Sequence, residues 1–162
     1  MKNFYPKKKL GQNFLKDKEI IRKIINISQS YQIDSVVEIG PGKGALTYPL
    51  LDIYDQVIVV EKDYELIEFW QKKKELDSLT QLNVLAGDFL HIDSEDIETL
   101  SKNKKPICIS SLPYNVSKKI QINEHELRLK INEWAALSDV SILGSMGETS
   151  VLVTVMMGKR CE

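Results

Sequence analysis

The run Glu38-Ile39-Gly40-Pro41-Gly42-Lys43-Gly44 sets three glycines at the spacing G-x-G-x-G. Residues without a Cβ let a backbone turn tightly and approach a ligand closely, as a loop cradling a nucleoside must. The competing pattern is a dinucleotide fingerprint, G-x-G-x-x-G, whose third glycine would fall where Ala45 stands; the glycine comes one residue earlier. Glu61 lies 21 residues past Gly40, where a carboxylate would accept hydrogen bonds from both ribose hydroxyls. Asp88, in Ala86-Gly87-Asp88-Phe89, is placed to accept from an adenine amino group, with Phe89 beside the ring. Each residue also has a plain alternative: glycine turns are common, Glu61 could cap the helix that follows it, and Asp88 could open a turn.

Such groups meet only if strand ends bring them together, because ligands of open parallel sheets bind at the carboxyl ends of the strands. Ser35 to Ile39 reads as a buried strand ending at the glycine run, and Gln56 to Val60, Leu82 to Ala86 and Pro106 to Ser110 read as further strands. Between them the spacing predicts helices. Asp17 can N-cap one with Ile20, Ile21, Ile24, Ile25 and Ile27 at helical intervals. Others are expected over Ala45 to Ile53, with Pro49 as a local irregularity, over Asp63 to Leu76 with Leu66, Phe69, Trp70 and Leu76 inward, and over Ser94 to Leu100. This alternation predicts an α/β fold with a mostly parallel sheet covered on both faces. Beyond Gln121 the pattern weakens: Glu124 to Leu137 reads as helical, Val151 to Met157 as a strand, and Ser138 to Ser150 is unassigned.

The 162 residues, 43% apolar and 28% charged, suit one domain with a buried core. No stretch approaches the roughly 18 consecutive apolar residues of a membrane helix, which argues against an integral membrane protein. The first residues lack the apolar core of a secretory signal, and Cys108 and Cys161 are too few and too distant for a disulfide framework, so a reducing cytoplasm is expected. Charge is uneven. Residues 1 to 25 carry eight Lys/Arg against Asp17 and Glu19, a balance of +6, and the remainder sums to −7. A basic arm can neutralise nucleic-acid phosphates or serve only as a solubilising tail. His91 and His125 are isolated, Cys108 reads as core, and Lys72-Lys73-Lys74 reads as a solvated helix face.

The fourth strand runs into Ser110-Ser111-Leu112-Pro113-Tyr114, which resembles the Asn/Asp-Pro-Pro-Tyr or Asn-Leu-Pro-Tyr signature of methyltransferases that act on amino groups. Together with Leu10-Gly11-Gln12-Asn13-Phe14-Leu15 and Val37 to Thr47, the sequence resembles the ribosomal RNA adenine dimethyltransferases of the KsgA/RsmA type over roughly residues 7 to 120. The resemblance implies a Rossmann-like class I S-adenosylmethionine-dependent methyltransferase domain over 17 to 120, preceded by a basic arm at 1 to 16. Residues 121 to 162 would be an uncertain remainder of the same domain, in a sheet that could be incomplete, and the family's C-terminal helical domain would be lacking. It further implies S-adenosylmethionine as donor and two methylations of an adenine amino group in small-subunit ribosomal RNA. The enzyme would be a cytoplasmic monomer acting on the immature small subunit during ribosome maturation. Relatives that confer macrolide resistance share this plan, so large-subunit RNA stays open as a substrate, as does a non-catalytic remnant that only binds donor and RNA.

Carried over by position, Asn13 and Leu15 would cover the donor, and Gly40 would lie against its aminoacyl part with Gly42 in the same turn. Glu61 would hold the ribose, Asp88 the donor adenine with Phe89 beside it, and Ser111 would border the donor. Ser111, Leu112 and Pro113 would present acceptors to the target amine, Tyr114 would stack on an adenine drawn out of its strand, and Lys7, Lys8 and Lys9 would touch phosphate. Methyl transfer is an in-line displacement dominated by positioning, and it requires no metal. The sequence departs from the signature at Ser111, where the family has Asn. Its hydroxyl would not reach the same place, and strand alternation points Ser110 the other way.

Overall fold

The computed structural model describes residues 5, 7, 14–31, 33–102, 106–110, 128–131, 140–146 and 149–155. The first helix, α1 (Lys18–Gln29), starts at Asp17, whose carboxylate accepts from the Glu19 and Ile20 amides at 2.9 and 3.2 Å, and it buries Ile20, Ile24 and Ile25. Strand β1 (Ser35–Ile39) is buried along its whole length. Helix α2 (Thr47–Leu51) is shorter than its expected span, because residues 42–46 remain in turns. Pro49 then falls in the first helical turn, where its missing N–H removes no intrahelical bond; it marks a helix start rather than an irregularity.

Strand β2 (Gln56–Glu61) leads to α3 (Tyr64–Leu76), N-capped by Asp63, which accepts from the Glu65 amide at 3.1 Å. Leu66 and Trp70 are buried as expected, but Leu76 is 78% exposed. Six residues past Trp70 lies about 120° round the helix, away from the face that docks. Strand β3 (Leu82–Ala86), a single 3₁₀ turn (Phe89–His91), α4 (Ser94–Leu100) and β4 (Ile107–Ser110) follow at their expected places.

The last three strands are β5 (Arg128–Ile131), β6 (Val140–Met146) and β7 (Thr149–Val155), in a sheet ordered β3-β2-β1-β4-β7-β6-β5. Pairs among β1 to β4 and between β4 and β7 are parallel, whereas β6 runs antiparallel to both β5 and β7. One expectation is thereby corrected: the region Glu124 to Leu137 contains a strand where a helix was expected. The strand expected over Val151 to Met157 is β7, which starts at Thr149. Short apolar runs carry no decisive period, so pairing with β6 sets the conformation of β5.

Alternation along the strands sorts the core into two layers. Val36, Val57, Val59, Ile107 and Ile109 pack with α1, α2 and Trp70, while Val37, Ile39, Ile58, Val60 and Cys108 pack against Ile97 and Leu100 of α4. Among the described residues no helix is long and apolar enough to cross a membrane.

Candidate functional site

Register alone puts the candidate residues on one rim. Ile39 of β1 is level with Val60 of β2 and with Ser110 of β4, and Val60 is level with Leu85 of β3. The chain therefore leaves three neighbouring strands together, at Gly40, Glu61 and Gly87. Hydrogen bonds lace these exits. The Gly40 amide donates to the Val60 carbonyl at 2.9 Å and the Gly87 amide to the Glu61 carbonyl at 2.8 Å. The Ser110 hydroxyl donates to the Ile39 carbonyl at 3.1 Å, so Ser110 is spent on fixing the end of β1.

Glu61 is the best-held acceptor of the rim. Its Oε1 accepts from the amides of Lys62 and Asp63, both at 2.9 Å. Burial pushes its pKa up, and the neighbouring backbone amides, first that of Asp63, oppose that rise. The capping alternative is half met: Glu61 gathers amides at the start of α3, but Asp63 is the N-cap. Two carboxylate oxygens offer about four lone-pair sites, so capacity remains for a diol. Asp88 stands one residue past Gly87 with its side chain 42% exposed and its Oδ2 3.8 Å from Lys62 Nζ. Phe89 is half-buried and packs on the layer of Val37, Ile39 and Val60.

The glycine turn is closed from two sides. A Cβ on Gly42 would sit 3.0 Å from the Phe14 ring, and Lys43 Nζ lies 4.9 Å from that ring's centroid. Phe14 and Leu15 with the turn enclose a recess of about 40 Å³, too small for a nucleoside, which would lie along the open rim instead. On the other side Trp70 donates its indole N–H to the Gly42 carbonyl at 3.0 Å. Lys7 reaches the start of α3: its ammonium lies 2.7 Å from Asp63, the N-cap, and 3.2 Å from Glu65. Asn13, Ser111, Leu112, Pro113, Tyr114, Lys8 and Lys9 lie outside the described residues.

Residue types and spacing did not single out Glu38, Thr47 or Trp70 as parts of the site. A charge inside an otherwise apolar strand was the available signal for Glu38, which is only 2% exposed and accepts from the Thr47 hydroxyl at 2.6 Å. Burial, opposed by the Thr47 hydrogen bond and reinforced by nearby Glu61, pushes its carboxyl up from 4.5 to about 7. A carboxyl raised in this way favours the folded state while neutral. The stabilisation is complete below about pH 4.5 and is lost as pH rises through about 7. Glu38→Gln is therefore expected to exceed the parent's stability at pH 8 by up to about 3 kcal/mol, with the difference fading toward pH 5. Urea unfolding at the two pH values checks this.

A family model described as ribosomal RNA adenine dimethylase matches residues 3–133. The chain belongs to this family. Among curated relatives of that class, ribosomal RNA small subunit methyltransferase A of Wigglesworthia glossinidia brevipalpis is 41% identical over 119 residues, covering 73% of this chain and 44% of the relative. The same-named protein of Chlorobium phaeobacteroides (strain DSM 266 / SMG 266 / 2430) is 35% identical over 153 residues, covering 85% and 54%. The chain thus spans about half the length, or less, of the curated relatives it matches. Among solved structures, the 23S rRNA methyltransferase ErmE superposes with a TM-score of 0.51 at 27% identity, covering 65% of this chain and 40% of that one. A dimethyladenosine transferase from Plasmodium falciparum gives 0.51 at 28%, covering 65% and 36%. The fold of this chain is accordingly the Rossmann-like methyltransferase fold that the motifs implied.

Proposed function

We propose that the chain forms the donor-binding, catalytic part of an S-adenosylmethionine-dependent enzyme that dimethylates the exocyclic amino group of adenines in small-subunit ribosomal RNA. The observation that carries the reading is the convergence of Gly42, Glu61 and Gly87-Asp88 on one rim, laced by the Gly40 amide to the Val60 carbonyl and the Gly87 amide to the Glu61 carbonyl. Family membership and relatives named for the small subunit supply the substrate class.

The residues present fit the donor: a turn that a Cβ on Gly42 would obstruct, and a carboxylate with free acceptor capacity beside it. When bound, S-adenosylmethionine supplies an electrophilic methyl group on a sulphonium centre. Glu61 would accept from the ribose hydroxyls and Asp88 from the adenine amino group, and Phe14 and Leu15 would keep water from the aminoacyl end. The target amine is a poor nucleophile because its lone pair is delocalised into the adenine ring. Carbonyl acceptors along Ser111 to Pro113, aimed at its N–H bonds, would favour the pyramidal nitrogen that acquires positive charge during transfer. Tyr114 would hold the extruded base by stacking.

A second reading rests on Ser111, which stands where the family's Asn would reach the amine: donor and RNA binding without turnover. Calorimetry with S-adenosylhomocysteine, followed by transfer of labelled methyl groups to immature small and large subunits, separates the cases. Binding with label in small subunits supports the proposal, and label confined to large subunits moves the substrate to the other subunit. Binding without label, with incorporation appearing in Ser111→Asn, supports the second reading. An absence of binding overturns both.

A further inference from the structure

We infer that Trp70 is a positioning residue of the donor site, holding the Gly42 carbonyl and with it the orientation of the glycine turn; the inference rests on the donor-binding reading above. Trp70 belongs to α3, 28 residues from Gly42, and its side chain is fully buried. Its placement is unusual for a core aromatic in two respects. The indole N–H is spent on a loop carbonyl, that of Gly42, at 3.0 Å. The far edge of the same ring fills the space that a Cβ on Gly44 would need, lying 2.6 Å from it.

The turn is therefore gripped from the core side: the Gly42 carbonyl is held by the Trp70 N–H, and the ring of the same residue lies against Gly44. With φ values of 70, 54 and 91° at Gly40, Gly42 and Gly44, three of the turn's five residues have no side chain to hold this arrangement, and glycine backbones sample many alternatives. Phe14 covers Gly42 from outside, but it lies on the arm before α1, whereas Trp70 is built into the core. A hydrogen bond from a buried, immobile ring is what selects one orientation of the turn before a ligand arrives. When only a fraction of the molecules hold a binding-competent turn, apparent affinity falls by that fraction.

The test uses the whole chain carrying Trp134→Phe, which leaves Trp70 as its single tryptophan. S-adenosylhomocysteine affinity is measured by calorimetry well below the unfolding temperature. It is measured with tryptophan, with phenylalanine, and with benzothienylalanine at position 70; the last keeps the ring shape but replaces the N–H with sulphur. Loss of the N–H is expected to weaken binding by roughly five- to tenfold in both substituted forms. In the parent, saturation is expected to shift the ¹⁵N–¹H resonance of the Trp70 indole. A purely structural tryptophan would lower the melting temperature and leave low-temperature affinity and resonance unmoved. Should Trp70→Phe fail to fold, the benzothienylalanine form still decides. Equal affinity in parent and benzothienylalanine forms overturns this inference alone, whereas a parent that does not bind overturns the donor-binding reading and the inference with it.

Discussion

Glu61→Ala is expected to lower the affinity for S-adenosylhomocysteine at least about 100-fold. Each hydrogen bond from a ribose hydroxyl to a charged carboxylate contributes about 1.5 to 3 kcal/mol, and this side chain would accept two. The geometry makes the loss hard to recover. Glu61 is 6% exposed and fixed by the Lys62 and Asp63 amides, so water cannot readily take over its role. Asp88→Ala is expected to cost less, about tenfold, because that carboxylate is well exposed and an exposed hydrogen bond gains little over water. Burial also gives the binding a pH signature. Since the Glu61 pKa is raised and the ionised form is the better acceptor, affinity should fall on acidification from above the ordinary glutamate range. Calorimetry of the two single variants and their double, with the parent measured from pH 8 to 5, checks all three statements. Parent-like binding by the double variant would remove the strand rim from the donor site.

What could be read from residues alone was whatever has a local period or a local partner. The isoleucines of α1, the Asp17 cap and the continuous apolar runs of β1 and β2 declare themselves within a few positions, because burial on one face leaves a period and burial on two faces leaves an unbroken run. The glycine run with Glu61 and Asp88 was legible for a related reason: parallel strands of similar length, joined by helices, must release their chains at one rim. What was illegible needed knowledge of distant pairing. Nothing near Arg128 to Ile131 announces a strand, and its conformation is set by Ser145 to Ile142 across the ladder. Lys7 carries no mark of its tie to Asp63, 56 residues on, and Trp70 reads as one more apolar helix position until its N–H is traced to Gly42.

Gly44→Ala is expected to destabilise the chain by about 3 to 5 kcal/mol and to lower its melting temperature by roughly 10 to 15 °C. Two costs add. The backbone at Gly44 has φ of 91°, outside the left-handed well that other residues tolerate, which costs about 1 to 3 kcal/mol. The new methyl group would also lie 2.6 Å from the Trp70 ring and 2.7 Å from Tyr48, and the Trp70 ring is in a core without room to retreat. Gly42→Ala is the control. Its φ of 54° suits the left-handed well, and its nearest neighbour at 3.0 Å is the half-buried Phe14 side chain, which has room to shift, so a loss near 1 kcal/mol is expected. A double-mutant cycle separates the two costs at Gly44. Shortening the ring with Trp70→Phe removes the atoms that collide but leaves the dihedral as it was, so Gly44→Ala should cost about 1 to 2 kcal/mol less in that background. Full additivity, read from urea unfolding of the four proteins, would mean that the ring is not what keeps position 44 free of a side chain.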